Sequence, residues 1–310
     1  MRADTKLENS PRRRFIAVYW QDCRWQPRIE VRPAAPPPDV HSPRRNFILQ
    51  KTMKTTLPRS RRHRAGFTLV ELLTVIAIIG ILAALLLTVL AAAKRSALKA
   101  KAQTEIQGLA TAIQGYDSAY GRFPVSPAAQ AAAGANAGNA ASQNGDFTYG
   151  GTFQSPTTPN IPQSVGTLVN GSIMSNAEVI AILMNLTNYP GGGATVNANY
   201  QKNPQQTVFL SARMSGDTSS PGVGTDLVYR DPWGNPYVIT MDLNYDELCE
   251  DAFYGLPTVS NNNLTALIKA PDDNYAYRGK VMVWSAGSDG AIDKSNGAGT
   301  ANKDNVLSWQ

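Results

Sequence analysis

Histidine is nearly missing from this chain. Only His41 and His63 occur in 310 residues, and both lie in the first 66. Cysteine is as scarce, with Cys23 in that same segment and Cys249 far beyond it. The remaining 244 residues hold no histidine and one thiol. That excludes Ser–His and Cys–His nucleophiles, histidine acid–base chemistry, and His or Cys zinc sites from the main body. The chain is expected not to be an enzyme.

Positive charge is also scarce after the first fifth. Residues 1–66 hold 16 Lys+Arg against 5 Asp+Glu, whereas residues 67–310 hold 13 against 18. The formal net charge of +6 therefore describes a short basic segment ahead of an acidic body, which argues against a nucleic-acid partner. With 43% hydrophobic and 17% charged residues the whole reads as globular, and its length allows one or two domains.

Between Leu72 and Ala93 there is no charge at all. These 22 residues span about 33 Å as a helix, enough for the hydrocarbon core of a bilayer. The alternative, a buried helix of a soluble protein, rarely runs this long with apolar residues all round. Arg59, Arg61, Arg62 and Arg64 precede the run. The positive-inside rule then places the N-terminus in the cytoplasm and the rest outside.

An ordinary secretory signal is cut after its apolar stretch, at small residues. Here Gly66 precedes the run, Phe67 begins it and a lone Glu71 follows four residues on. Gly66-Phe67-Thr68-Leu69-Val70-Glu71-Leu72 resembles the type IV prepilin signal. The resemblance implies a prepilin peptidase that cuts between Gly66 and Phe67 on the cytoplasmic side, followed by methylation of Phe67. Residues 1–66 are then a basic leader that is removed. Within it, 1–52 is Arg- and Pro-rich and without hydrophobic period. It reads either as a disordered tail or as untranslated sequence ahead of a true start at Met53, which would leave a leader of 14 residues.

Glu71 is a carboxylate inside an apolar span, a functional candidate by default. The bland alternative is that it reaches the head groups. The sharper one is a partner: cleavage creates an α-amino group on Phe67, largely charged at neutral pH. Within one helix the two are poorly placed to pair. Between subunits, Glu71 of an incoming chain can neutralise the Phe67 amine of its neighbour, and the pilin family is thought to use its matching glutamate so. Beyond the membrane segment, 67–93, the helix continues through an amphipathic part, 94–124. Leu98, Ala102, Ile106, Leu109, Ile113, Tyr116 and Tyr120 recur at steps of three and four, and Gly121 and Pro124 stop it.

The outer domain is expected over 125–310. Residues 126–172 and 190–205 read as long low-complexity surface loops around a short helix, Ala177 to Leu186, capped by Asn176. Strand signals fall at Thr207–Leu210, Leu227–Tyr229, Tyr237–Leu243 and Lys280–Ser285. Asp246, Glu247, Glu250 and Asp251 read as a solvated charge run. The fold class is α+β, a long N-terminal helix packed on a small antiparallel sheet with long loops.

Three further stretches extend the resemblance: Asp231-Pro232-Trp233-Gly234-Asn235-Pro236-Tyr237, Trp284-Ser285-Ala286-Gly287-Ser288-Asp289-Gly290 and Lys303-Asp304-Asn305-Val306-Leu307-Ser308-Trp309. Together they resemble the major pseudopilin of type II secretion, which implies a pilin-like fold. It also implies a calcium ion in the C-terminal loop, with Asp289 and Asp304 as carboxylate ligands and the Ala286 carbonyl beside them. Asp293 is a weaker candidate, and an ordinary Asp-Gly turn is the alternative. Cys249 has no second thiol for the C-terminal disulfide loop of many adhesive pilins, which favours a pseudopilin.

The resemblance implies a structural subunit in the bacterial inner membrane, single-pass, with its domain in the periplasm. It would polymerise with identical and minor pseudopilins on an inner-membrane assembly platform. The alternative is a type IV pilin of a surface filament for adhesion, motility or DNA uptake. A membrane-anchored binding module or enzyme is disfavoured, because a simple anchor needs neither the cleavage signal nor Glu71.

Overall fold

The computed structural model describes residues 66–135, 145–156, 161–261 and 266–310. The leader through Ala65 lies outside the described residues. Helix α1, Leu69–Tyr120, runs 52 residues unbroken, about 78 Å at helical rise. Gly121 ends it at φ 63°, and its N–H donates to the Asp117 carbonyl at 2.7 Å. Glycine takes that left-handed conformation without a Cβ clash.

The two halves of α1 meet different surroundings. Large apolar side chains from Leu69 to Leu90 are 44% to 84% exposed. From Ala102 onward one stripe is buried: Ala102, Ile106, Leu109, Ile113 and Tyr116, with Leu98 and Tyr120 half-buried at its ends. This stripe packs on a four-stranded antiparallel sheet whose order is Phe147–Tyr149, Val238–Met241, Val281–Ser285 and Val306–Leu307.

Phe147, Tyr149, Ile239, Met241, Val281 and Val283 pack into the core shared with α1. Val238, Met282 and Trp284 point the other way, into a second core with Phe253, Tyr254 and Trp309. Every residue of Val238–Met241 and Val281–Ser285 is buried. Neither strand alternates apolar with polar cleanly, because both sheet faces are covered. The second layer includes helix Pro257–Ser260 and a three-stranded antiparallel sheet, ordered Leu267–Lys269, Tyr275–Arg278, Leu248–Cys249.

Several sequence expectations are corrected here. Residues 126–172 are not simply a surface insertion. Pro127–Ala135 is a helix with Ala129 and Ala133 buried, Phe147–Tyr149 is an edge strand of the central sheet, and two short hairpins follow. A three-residue strand is too short to show a period, and tertiary packing decides it. Asn176 makes no side-chain cap; the helix it precedes is Ala177–Leu183. Its buried amide instead accepts from the Tyr229 N–H at 2.8 Å and donates to the carbonyls of Tyr229 at 3.0 Å and Tyr237 at 2.8 Å. Thr207–Leu210 forms no strand. Phe209 and Leu210 donate their N–H groups to the Leu183 carbonyl, closing that helix. The signal at Leu227–Tyr229 shifts to a strand Tyr229–Arg230, and the other two are trimmed to Val238–Met241 and Val281–Ser285.

The charge run is also corrected. Asp246 and Glu247 are exposed, but Glu250 and Asp251 are 3% and 2% exposed. Asp251 Oδ2 accepts from Thr240 Oγ1 at 2.6 Å and Trp284 Nε1 at 3.1 Å, and Oδ1 accepts from the N–H groups of Phe253 and Tyr254, each at 2.9 Å. Four donors make its burial tolerable.

Candidate functional site

Two regions carry the residues singled out in the sequence. The first is the start of α1. Gly66, Phe67 and Thr68 precede the helix, and Thr68 is extended at φ −78°, ψ 150°. The Glu71 N–H donates to Thr68 Oγ1 at 3.2 Å, while Glu71 Oε2 accepts from the Thr68 N–H at 2.8 Å and from its hydroxyl at 2.9 Å. This reciprocal capping box satisfies donors that the first turn leaves open, and a carboxylate there also suits the positive end of the helix dipole. The Thr-x-x-Glu spacing was the sequence signal for it.

The cap holds the Glu71 carboxylate against the residue next to Phe67. In the uncut chain the Phe67 nitrogen is a peptide nitrogen; an amine arises there only when the Gly66–Phe67 bond is cut. Around this segment the helix surface is bare and apolar, so the carboxylate sits at one end of a surface made for lipid or for other helices.

The second region gathers the other three stretches at one place. Asp231 is buried and its Oδ1 accepts from the N–H groups of Trp233 and Asn235, each at 2.9 Å, fixing the turn. Its Oδ2 accepts from Ser285 Oγ at 2.6 Å, and Asn235 Nδ2 donates to the Gly287 carbonyl at 3.0 Å. Gly287 has φ 71°, and a Cβ there would lie 2.5 Å from the Asp304 carbonyl oxygen. The Asp231–Tyr237 turn, the Ser285–Gly290 loop and the C-terminal strand are thus locked together. Gln103 and Gln107 of α1 tie that strand to the helix through the Leu307 and Ser308 carbonyls, at 3.1 and 2.9 Å. Their helical spacing alone gives no sign of these partners, which only the fold reveals.

Among the expected ion ligands, Ala286 is buried and Asp289 exposed. Asp304 Oδ2 accepts from the Ser288 N–H at 2.6 Å, Ser288 Oγ at 2.7 Å and the Asp289 N–H at 3.2 Å. Asp304 Oδ1 is buried with no hydrogen-bond partner. Asp289 Oδ1 accepts from the Ala291 N–H at 2.9 Å. Partial burial raises the Asp289 carboxyl above the usual range, and the nearby Asp304 charge raises it further. Asp293 is 7% exposed and its Oδ1 is used by the Ser295 N–H and hydroxyl, so it closes a turn of its own. Among the described residues, no group of three or more His, Cys, Asp or Glu is placed to hold a metal.

Residues 61–87 match the model of the prokaryotic N-terminal methylation motif. The chain carries a prepilin-type signal. Such a signal implies processing by a prepilin peptidase and assembly at a membrane, and the one helix among the described residues long and apolar enough to span a bilayer begins within it. No curated protein and no solved structure matches the chain. Cys249 is buried and free.

Proposed function

We propose that this chain is a structural pseudopilin, without enzymatic activity, that polymerises into a periplasmic fibre for type II protein secretion. One observation carries the reading: the first half of α1, most of it within the matched methylation motif, presents apolar side chains all round, uncovered by its own domain. A bilayer covers that surface before assembly and neighbouring α1 helices cover it afterwards. Pilin-like packing of the second half of α1 on an antiparallel sheet supports the same reading. The peptidase frees the Phe67 amine, and Glu71 of the next subunit then pairs with it. That attraction grows in low dielectric and sets axial register. The absence of a second cysteine in the mature chain, and the joining of the Asp231–Tyr237 turn to the Ser285–Gly290 loop, favour a pseudopilin over a surface pilin.

Mass spectrometry of protein from native membranes tests the processing step. The expected N-terminal peptide begins at methylated Phe67. A dominant peptide running intact from Arg64 through Glu71 overturns it. Loss of exported proteins on deletion separates secretion from a surface filament; loss of surface fibres with normal export would favour the pilin.

Calcium belongs to the same proposal. Two observations support a hard cation here: two carboxylates close enough to repel, and one buried Asp304 oxygen without a donor; the Ala286 carbonyl is what the resemblance adds. Calcium takes six to eight oxygens, so water would complete the shell. When bound, the ion would screen the two carboxylates and tie the loop to the C-terminal strand. The stretch that follows has hydrogen bonds of its own. Asn302 accepts from the Asp293 N–H at 3.0 Å and donates to the Asp293 and Asn296 carbonyls, each at 3.0 Å. The chain's own side chains thus hold Ser295–Asn302 in place. Calcium at 100 times its dissociation constant should still stabilise the domain by about 2.7 kcal/mol. Asp289→Ala should abolish the difference between calcium and chelator. Equal melting of the wild type in both would leave the Asp-Gly segment as a turn only.

A further inference from the structure

Where α1 leaves the apolar span, it forms one wall of a cleft of about 240 Å³ against the globular domain. Arg95, Ser96 and Lys99 line it from the helix, and Trp233, Ser288 and Asp304 from the domain. We propose that this cleft binds the phosphodiester of an anionic phospholipid headgroup. The proposal rests on the helix lying in a bilayer, not on which filament the subunit builds.

Charge is the first argument. Arg95 and Lys99 stand four residues apart, on one face of α1, where like charges repel. Both are exposed. The ion pairs among the described residues are Lys101–Glu105, Arg230–Asp226, Lys269–Asp273 and Lys280–Asp117, so neither Arg95 nor Lys99 has an acidic partner there. An anion seated between them removes the repulsion, and guanidinium and ammonium are both strong phosphate donors.

Depth is the second. The uncharged run ends at Ala93. Arg95 lies about 3 Å further along the axis and Lys99 about 9 Å. Each headgroup layer is roughly 5–7 Å thick. The guanidinium therefore stands among the headgroups and the ammonium at their outer edge. Half-buried Trp233 faces the same cleft, at the level where indoles favour the membrane interface.

Asp304 selects among phosphates. Its Oδ2 is held by Ser288 and Asp289, and it makes no ion pair with the cations across the cleft. It does repel a second negative charge. A singly charged phosphodiester thus suits the cleft better than a phosphomonoester, which carries nearly two charges at neutral pH.

The test uses the full chain in nanodiscs of phosphatidylcholine, alone or with phosphatidylglycerol, and counts retained lipid by native mass spectrometry. Phosphatidylglycerol should be retained preferentially. Arg95→Ala with Lys99→Ala should weaken retention at least about a hundredfold, the loss of two charge-assisted hydrogen bonds to the phosphate, against about thirtyfold for diffuse attraction of two basic residues. Both changes place alanine on an exposed helix surface, and unchanged melting of the domain checks folding. Lys94→Ala, at the same depth but outside the cleft lining, should weaken retention by no more than about fivefold, the share of one basic residue at a charged surface. An equal loss in Lys94→Ala would mean diffuse surface attraction and overturn the site. So would retention unchanged by the double variant. Glycerol phosphate binding the domain as tightly as the lipid would assign the cleft to soluble phosphate instead. Cross-links from position 95 or 99 to acidic residues of a second copy, with no lipid retained, would assign it to the fibre interface.

Discussion

Helix α1 is one continuous element made of two unlike halves. The half before Ala93 is apolar on every side and bare, whereas the half after it buries one stripe and shows polar residues elsewhere. Backbone geometry and hydrogen bonding are the same in both. The difference lies in what each half relies on for burial: the second half finds it in its own domain, the first only outside the chain. Stability and assembly are thereby separated along a single helix, and substitutions in each half should affect different measurements.

The largest expected effect falls at the very start of the bare half. Glu71→Ala should insert and be cleaved, yet give no cross-linked ladders in cells that make only the variant. Glu71→Gln sharpens this result, because glutamine also serves in a capping box but carries no charge. Failure of both variants assigns the role to the intersubunit charge. Assembly of Gln but not Ala assigns it to the cap on Thr68. Normal ladders in Glu71→Ala would remove the pair from the mechanism.

A smaller effect compares the halves directly. Ile113 is fully buried and Ile79 is 58% exposed on the same helix. Ile113→Ala should cost the domain about 2–5 kcal/mol, as for large-to-small changes in cores. Ile79→Ala should leave domain melting within about 0.5 kcal/mol, as for surface positions. Equal destabilisation would mean that the first half packs on the domain after all.

The stripe on α1 was legible because its period repeats over about six turns, and the helix stop because Gly121 and Pro124 have strong conformational preferences. Turn residues at Asp231–Tyr237 were legible for the same reason. What escaped the sequence depended on distant cover. Phe147-Thr148-Tyr149 gains a strand only by pairing with Ile239–Met241. Asn176 sits where a cap belongs, but two strands converge on its amide. Glu250 and Asp251 look like solvent-facing acids until Trp284 and Thr240 close over Asp251. The capping box and the Arg95–Lys99 spacing were both written in the sequence. The first was outweighed by the membrane reading of Glu71, and the second means little without Trp233 opposite.

The contrast between covered and uncovered groups extends to the buried acids, where the smallest expected effect lies. Asp251 has four donors, whereas Asp146, 1% exposed, has one: its Oδ2 accepts from the Glu250 N–H at 2.5 Å and its Oδ1 has no partner. Burial pushes the Asp146 carboxyl up to about 9, and the charges of Asp242, Asp246 and Glu250 add to this. Burial, with Asp272 nearby, also lifts Glu250 to about 7. Both folded-state values lie above those of the unfolded chain, so the native state holds protons that the unfolded state releases. Stability from these groups is then fully present below about pH 4 and is lost as pH rises, up to about 7 for Glu250 and about 9 for Asp146. Asp146→Asn keeps an oxygen for the Glu250 N–H and carries no charge to desolvate. The variant should melt higher than the wild type at pH 8, by the equivalent of about 1–3 kcal/mol. That advantage should vanish near pH 4, and the fall in melting temperature from pH 5 to pH 8 should flatten. Parallel curves for variant and wild type would mean that water or a cation already serves Asp146 Oδ1, and that its burial is compensated like that of Asp251.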